Sequence, residues 1–154
     1  MMRVVVSAVL LLSGAFSTAE DKKGDPPWKD AKKELARLQG EWEAVRGERN
    51  GSVVEWRDGE KRFLLEKNKL FVFHPQTGKK IEWLTITIDP ATSPKCIDLG
   101  GKGKGAMEGI YRLSGDTWTV CFDRDVKTVK ERPTAFSTKG SPSLGILTLK
   151  RIKK

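Results

Sequence analysis

The stretch "GIYRLSGDTWTVCF", residues 109–122, indicates the fold most directly. In its second half Trp118, Val120 and Phe122 fall on one face of an extended strand, and the residues between them fall on the other. Ser114-Gly115-Asp116 supplies turn residues between the two runs. The stretch therefore predicts an antiparallel hairpin that directs one apolar face toward a core.

Similar apolar runs, separated by turn residues, occupy the chain from residue 41 onward and predict about eight or nine antiparallel strands. Asn50-Gly51 is the preferred two-residue turn of a β-hairpin, because both positions tolerate a positive φ. Short turns link most of the runs. We therefore expect an up-and-down meander that closes into a barrel of about eight strands, with a two-sheet sandwich as the alternative.

One short helix is expected before the first strand. Apolar residues recur there at three- and four-residue spacing, at Trp28, Ala31, Leu35 and Leu38. Gly40 ends this pattern. We expect residues 28–154 to form a single domain, since a chain of this length needs only one core.

Residues 1–19 have the pattern of an export signal. Arg3 supplies the positive start, residues 4–12 the apolar run, and Ser17-Thr18-Ala19 a cleavage site of small residues. The apolar run is shorter than the roughly 20 residues that a membrane-spanning helix needs. We expect removal of this segment, a charged flexible leader over residues 20–27, and a periplasmic or extracellular protein without a transmembrane anchor.

The chain is basic, with a formal net charge of +9 that becomes +8 once Arg3 is removed. This charge favours solubility and a loose attraction to anionic polymers. It identifies no specific partner, and we expect no specific binding to nucleic acid.

Cys96 and Cys121 allow a disulfide in an oxidising compartment. If one strand lies between theirs, the gap is roughly 10 Å, beyond the limit of about 7 Å between the Cα atoms of a bridge. A disulfide and two unpaired small side chains both remain open.

The glycine-rich stretch "GGKGKGAMEG", residues 100–109, lacks the hydroxyl residue and the following helix of a phosphate-binding loop. We interpret it as a flexible connection between two strands at the barrel rim. Lys102 and Lys104 are candidate contacts for an anionic ligand, with solvated charge as the alternative.

Little in the sequence supports a metal or cofactor site. His74 is the only histidine, and one histidine with two separated cysteines does not form the usual zinc site. Asp123-Arg124-Asp125 is interpreted as a polar turn, because the residues after it lack the next calcium ligand and the glycine. We expect no metal and no cofactor.

The sequence offers equally little support for a catalytic site. The chain has no Gly-x-Ser-x-Gly elbow and only His74 as a base of the usual kind, so serine hydrolysis is disfavoured. A carboxylate pair is the remaining route. Its candidates stand mainly at strand ends and turns, at Asp89, Asp98, Glu108 and Asp116.

The segment "LQGEW", residues 38–42, resembles the Gly-x-Trp signature of lipocalins and related calycin barrels. The closing strand carries Arg151, which matches the basic residue of that family's closing cluster. The resemblance implies that Arg151 lies over Trp42, a contact worth roughly 0.5 to 2 kcal/mol. The role of this pair would be structural.

A wider likeness covers almost all of the chain after the signal. Five ordered blocks are similar to an uncharacterised lipocalin-like family of planctomycete bacteria: "LQGEW", "IDPATSPKCIDL", "GIYRLSGDTWTVCF", "RPTAFST" and "LTLKR". The likeness implies an exported barrel of unknown function, with no catalytic residues to transfer. Cys96 stands where that family often has a small apolar residue, which argues against a shared disulfide.

Three hypotheses for function follow. The leading one is a module that binds a small, partly apolar ligand in or at the mouth of the barrel, lined by Tyr111, Trp118 and Phe122. The second is an interaction domain for anionic envelope polymers or a protein partner, through Lys102 and Lys104. The third, an enzyme that uses carboxylates, has no assembled site behind it, so an enzyme is the less favoured class.

Overall fold

A computed structural model describes residues 27–57, 60–100, 105–125 and 132–153 of the chain. Within these ranges the protein has one helix, α1 (Pro27–Leu38), and nine strands. The strands are β1 (Gly40–Arg49), β2 (Ser52–Glu55), β3 (Arg62–Glu66), β4 (Lys69–Phe73), β5 (Lys80–Asp89), β6 (Lys95–Gly100), β7 (Ala106–Ser114), β8 (Thr117–Asp123) and β9 (Leu144–Arg151).

The strands from β3 to β9 pair antiparallel in chain order, and β1 pairs with β3 on one side and β9 on the other. Eight strands thus close a barrel, and β2 adds to the second half of β1 outside it. The predicted up-and-down barrel with one short helix is confirmed, and the sandwich alternative is excluded. The Asn50-Gly51 turn is also confirmed, with φ of 51° and 78°.

Helix α1 covers one end of the barrel, which we call the closed end. Leu38 is fully buried in the core, and Ala31 and Leu35 pack against it. Gly40 has a φ of 115°, a conformation that favours glycine, and the chain turns there from the helix directly into β1. The opposite end, where β6 ends and β7 begins, is the mouth.

Residues 132–143, which we call the strap, follow β8 and precede β9 in the chain. They cross the outside of the barrel. Alternation in β8 predicts one core face, but both faces are buried, since Thr119 and Cys121 are covered on the outer side. Cys121 packs there with Ile110, Ile146 and Phe136 of the strap. A second, smaller apolar cluster therefore lies outside the barrel.

Arg132 ties the start of the strap to β6 and β7. Its Nη1 donates to Asp98 Oδ1 at 2.8 Å and to the carbonyl oxygens of Ile97 and Gly109 at 3.1 and 2.9 Å. The far part is held by Thr138, which is fully buried and donates to Glu48 Oε1 at 3.1 Å. The "RPTAFST" block is thus the anchoring part of the strap.

Cys96 and Cys121 are unpaired. They lie on β6 and β8, and Ile110 of β7 stands between them in register. This is the spacing that argues against a bridge, about 10 Å across two strand intervals. Burial raises the pKa of the Cys121 thiol.

Candidate functional site

The interior of the barrel is not completely filled. A cavity of about 380 Å³ lies between the core and the mouth, within the range of about 300 to 1,000 Å³ found for small-molecule pockets. Among the described residues, eleven of the twelve that line it are apolar, and the twelfth is Arg124. An apolar lining of this kind favours the binding of apolar molecules, because their transfer from water is favourable.

Two glycines flank Phe122 at the mouth, and Gly145 leaves room for its ring. Gly109 and Gly145 are the register partners of Phe122 on its two neighbouring strands. A Cβ on Gly145 would lie 3.3 Å from Phe122 Cζ, and a Cβ on Gly109 would lie 2.4 Å from the carbonyl oxygen of Cys121. The aromatic ring therefore lies against bare backbone at the edge of the cavity.

Two aromatic rings form the opposite wall of the mouth. Phe63 and Trp83 are stacked, with ring centroids 5.8 Å apart. Both line the cavity and also an outer cleft of about 560 Å³. Trp83 is 46% exposed, so this pair separates the cavity from the solvent side.

At the closed end the fully buried Trp42 is held from several sides. Its Nε1 donates to the carbonyl oxygen of Leu38 at 2.8 Å, and the Trp118 ring meets it edge-on at 5.3 Å. The guanidinium carbon of Arg151 lies 4.4 Å from the centroid of the Trp42 ring. The structure thus brings together the two residues for which closure is the expected role.

Arg151 also bonds the end of α1. Its Nη1 and Nη2 donate to the carbonyl oxygens of Gln39 and Arg37 at 2.8 and 2.6 Å, and its Nε donates to Asp116 Oδ1 at 3.3 Å. The pKa of Asp116 is lowered, first by the hydrogen bond from Lys153 and then by Arg151. The last strand therefore fixes the helix as well as the barrel.

A buried carboxylate completes the closed end. Glu34, 6% exposed, accepts from Lys95 Nζ at 2.5 Å, Tyr111 Oη at 3.0 Å and Arg37 Nη1 at 2.9 Å. Burial by itself would raise the pKa of Glu34, but the bonds and charges of these neighbours outweigh it and lower the pKa. The pKa of Tyr111 is raised, by burial and then by the Glu34 charge.

The three predicted lining residues fall in two places. Trp118 and Phe122 line the cavity. Tyr111 faces the same interior, since it pairs with Val120, but its hydroxyl is bound to Glu34 at the closed end and it does not line the cavity. Lys102 and Lys104 lie outside the described residues.

The four candidate carboxylates do not form one site, although two of them are neighbours. Asp98 and Glu108 stand opposite each other on β6 and β7, where Arg132 bridges them at 2.8 and 3.6 Å. Asp116 lies at the closed end, and Asp89 accepts from the backbone N–H of Ala91 in a turn. None of the four lines the cavity. Their positions are explained by ion pairs and turns.

No group of three or more metal-ligating side chains occurs in the described parts of the chain. His74 Nδ1 accepts from the backbone N–H groups of Gln76 and Thr77, both at 3.3 Å, and so orders the turn after β4. The histidine has a local structural role.

Sequence reasoning missed Arg124. It follows Trp118, Val120 and Phe122 at two-residue spacing, so the same alternation that placed them would have placed it on the interior face. Arg124 lines the cavity and an adjoining groove of about 290 Å³, where Trp56 packs over Gly47. Among the described residues, the buried side-chain nitrogens without a hydrogen-bond partner are Trp118 Nε1 and Arg124 Nε. Both belong to the cavity lining.

Comparison with protein-family models, with curated proteins and with solved structures finds no match for this chain. Across the described residues, no helix has the length and apolar character needed to cross a membrane. The geometry of the cavity therefore carries the functional argument.

Proposed function

We propose that the protein is an exported lipocalin-like module that holds a small, largely apolar molecule in the barrel cavity. The observation that carries the proposal is the unfilled cavity of about 380 Å³ with eleven apolar lining residues. An engineered apolar cavity of about 150 Å³ is enough to bind benzene. The cavity here has room for a larger guest.

The position of the cavity supports a binding role. An unfilled apolar volume lowers the stability of a folded protein, since the surrounding side chains lose packing contacts. A molecule that binds only the folded state restores stability by mass action. The exposed Trp83 and the Phe63–Trp83 stack form an aromatic wall at this end of the barrel, between the cavity and the outer cleft.

Export belongs to the proposal through the signal-like pattern of residues 1–19. A carrier outside the cytoplasm would meet its guest in an aqueous compartment, where the transfer of apolar surface from water drives binding.

The test uses a neutral dye, N-phenylnaphthylamine, whose fluorescence rises in apolar surroundings. We expect the wild type to bind it at one saturable site, and Leu147→Trp, which fills the cavity, to lose binding. Thr87→Trp is the matched control, because Thr87 is exposed on β5 away from the cavity. Circular dichroism verifies that both variants fold.

Native mass spectrometry of protein from its own host gives a second reading. A wild type that binds no dye and retains no molecule would contradict the proposal. Equal dye binding by Leu147→Trp and the wild type would place the dye outside the barrel and would also contradict it.

A further inference from the structure

Among the described residues that line the cavity, Arg124 is the one cation, and no carboxylate of the described chain forms an ion pair with it. Its Nη2 donates to the carbonyl oxygen of Pro142, a neutral acceptor, and its buried Nε has no partner. An arginine beside apolar walls loses hydration, which is unfavourable unless an anion replaces the water. The guanidinium is therefore incompletely satisfied by the protein that surrounds it.

Other arginines of the described chain show the contrast. Four of them pair with carboxylates within 3.3 Å, in the pairs Arg37–Glu34, Arg62–Glu41, Arg132–Asp98 and Arg151–Asp116. Arg124 has no such pair with any carboxylate that the structure describes, which it shares with exposed arginines such as Arg49 and Arg57, but those do not line the cavity. None of the four paired arginines lines the apolar cavity either.

The backbone fixes Arg124 at the mouth. Its N–H donates to the carbonyl oxygen of Ser143 at 2.8 Å, directly before β9 begins. The Cδ of Arg124 lies 3.7 Å from the place that a Cβ on Gly145 would take, so the stem crosses bare backbone. The cavity and the adjoining groove share Phe122, Arg124 and Leu147. Arg124 therefore lies where the polar group of a molecule bound in the cavity would be.

We infer that the molecule held in the cavity is a monocarboxylate with an apolar body, and that Arg124 pairs with its carboxylate. This inference rests on the proposed function. A guanidinium fork matches the two oxygens of a carboxylate, and the pair forms charge-assisted hydrogen bonds. One positive charge balances one negative charge. A phosphate monoester brings nearly two negative charges at neutral pH, and the excess would lie against apolar walls.

The test compares straight-chain carboxylates, from hexanoate to dodecanoate, with primary amides of the same chains, by isothermal titration calorimetry. Each pair has a similar size and differs in charge. We expect the wild type to bind its best carboxylate on the order of 10- to 100-fold more tightly than the matched amide, the range of a hydrogen bond to a charged group.

Variants of Arg124 assign the preference to this residue. Arg124→Met should remove the preference by weakening carboxylate binding while amide binding is unchanged. Arg124→Lys should keep part of it, since an ammonium retains the charge but not the fork. Arg112→Met is the control, because this guanidinium lies on the outer side, 4.4 Å from the centroid of the Phe136 ring. The control should keep the full preference.

The outcomes separate the two proposals. Equal binding of carboxylate and amide by the wild type overturns the carboxylate inference and leaves the cavity as a binding site. Absence of binding by every chain, together with no dye binding, overturns both. Alkyl phosphates of the same chain lengths are titrated as a third series, and their tighter binding than that of the carboxylates overturns the assignment to a single negative charge. The wild-type comparison decides the matter even where a variant does not fold.

Discussion

The two ends of the barrel treat buried polar groups in opposite ways. At the closed end, Glu34 accepts three hydrogen bonds and Trp42 Nε1 donates to the end of α1. At the mouth, Arg124 Nε is buried without a partner in the described chain. At the closed end, buried hydrogen bonds within the protein therefore help to specify the fold. At the mouth, a buried donor is left that an external molecule can bind.

The largest expected effect contrasts two tryptophans. Trp42→Ala removes a fully buried ring and should lower the free energy of unfolding by about 3 to 5 kcal/mol. Trp83→Ala removes a ring that is 46% exposed at the mouth, and we expect a smaller loss, below about 2 kcal/mol. Urea unfolding measures both. Equal losses would break the distinction between the two ends.

The next effect concerns the buried carboxylate. Glu34→Gln should lower stability by about 1 to 3 kcal/mol at neutral pH, because Lys95 and Tyr111 lose a charged acceptor. The pKa of Glu34 is lowered from its ordinary value of 4.5, so the contribution is complete above that value and lost as the pH falls through the folded-state pKa. Thermal unfolding of both proteins across acidic pH measures this. A difference that grows toward acid would contradict the assignment.

A third prediction tests closure. Arg151→Ala should lower stability by on the order of 1 kcal/mol or somewhat more, through lost stacking and lost packing of its stem. Since Arg151 and Trp42 share one contact, the double variant with Trp42→Ala should lose less than the sum of the single losses. The cycle is measured by chemical unfolding. Strict additivity would show that the contact contributes nothing.

The smallest effect has the opposite sign. Val120→Ile adds one methyl group beside the cavity and should raise stability by about 0.8 kcal/mol. Ala44→Val, at a fully buried position near the closed end, should lower it, because extra methyl groups in a packed core force side chains out of their preferred rotamers. Val120→Ile should also weaken ligand binding. Thermal unfolding and dye titration check the two effects, and a loss of stability in Val120→Ile would show that the cavity has no usable space.

Much of the fold can be predicted from the sequence, because residues in a strand alternate between its two faces and so produce an apolar pattern with a period of two. Alternation in "TWTVCF" correctly predicts that Trp118, Val120 and Phe122 share the interior face. Alternation gives the face but not the depth along the barrel axis. For that reason it does not distinguish Tyr111, at the closed end, from the residues that line the cavity.

Two features had no periodic signal. In the pairing of β4 with β5 the register shifts after Leu70, and Trp83 is left without a partner in a bulge next to Leu84. Both residues therefore line the cavity, which strict alternation forbids. The strap is irregular, and its long-range contacts from Arg132 and Thr138 appear only once the barrel has brought distant strands together.

The pairing of β1 with β9 determines when the protein can become stable. Arg151 and Gln39, which it binds, are 112 positions apart, and contacts of such long range make folding slow. Until β9 has docked, the edges of β1 and β8 have unpaired N–H and C=O groups that can pair with other chains. Productive folding therefore depends on keeping a nearly complete, unclosed sheet separate from its own copies until the last strand arrives.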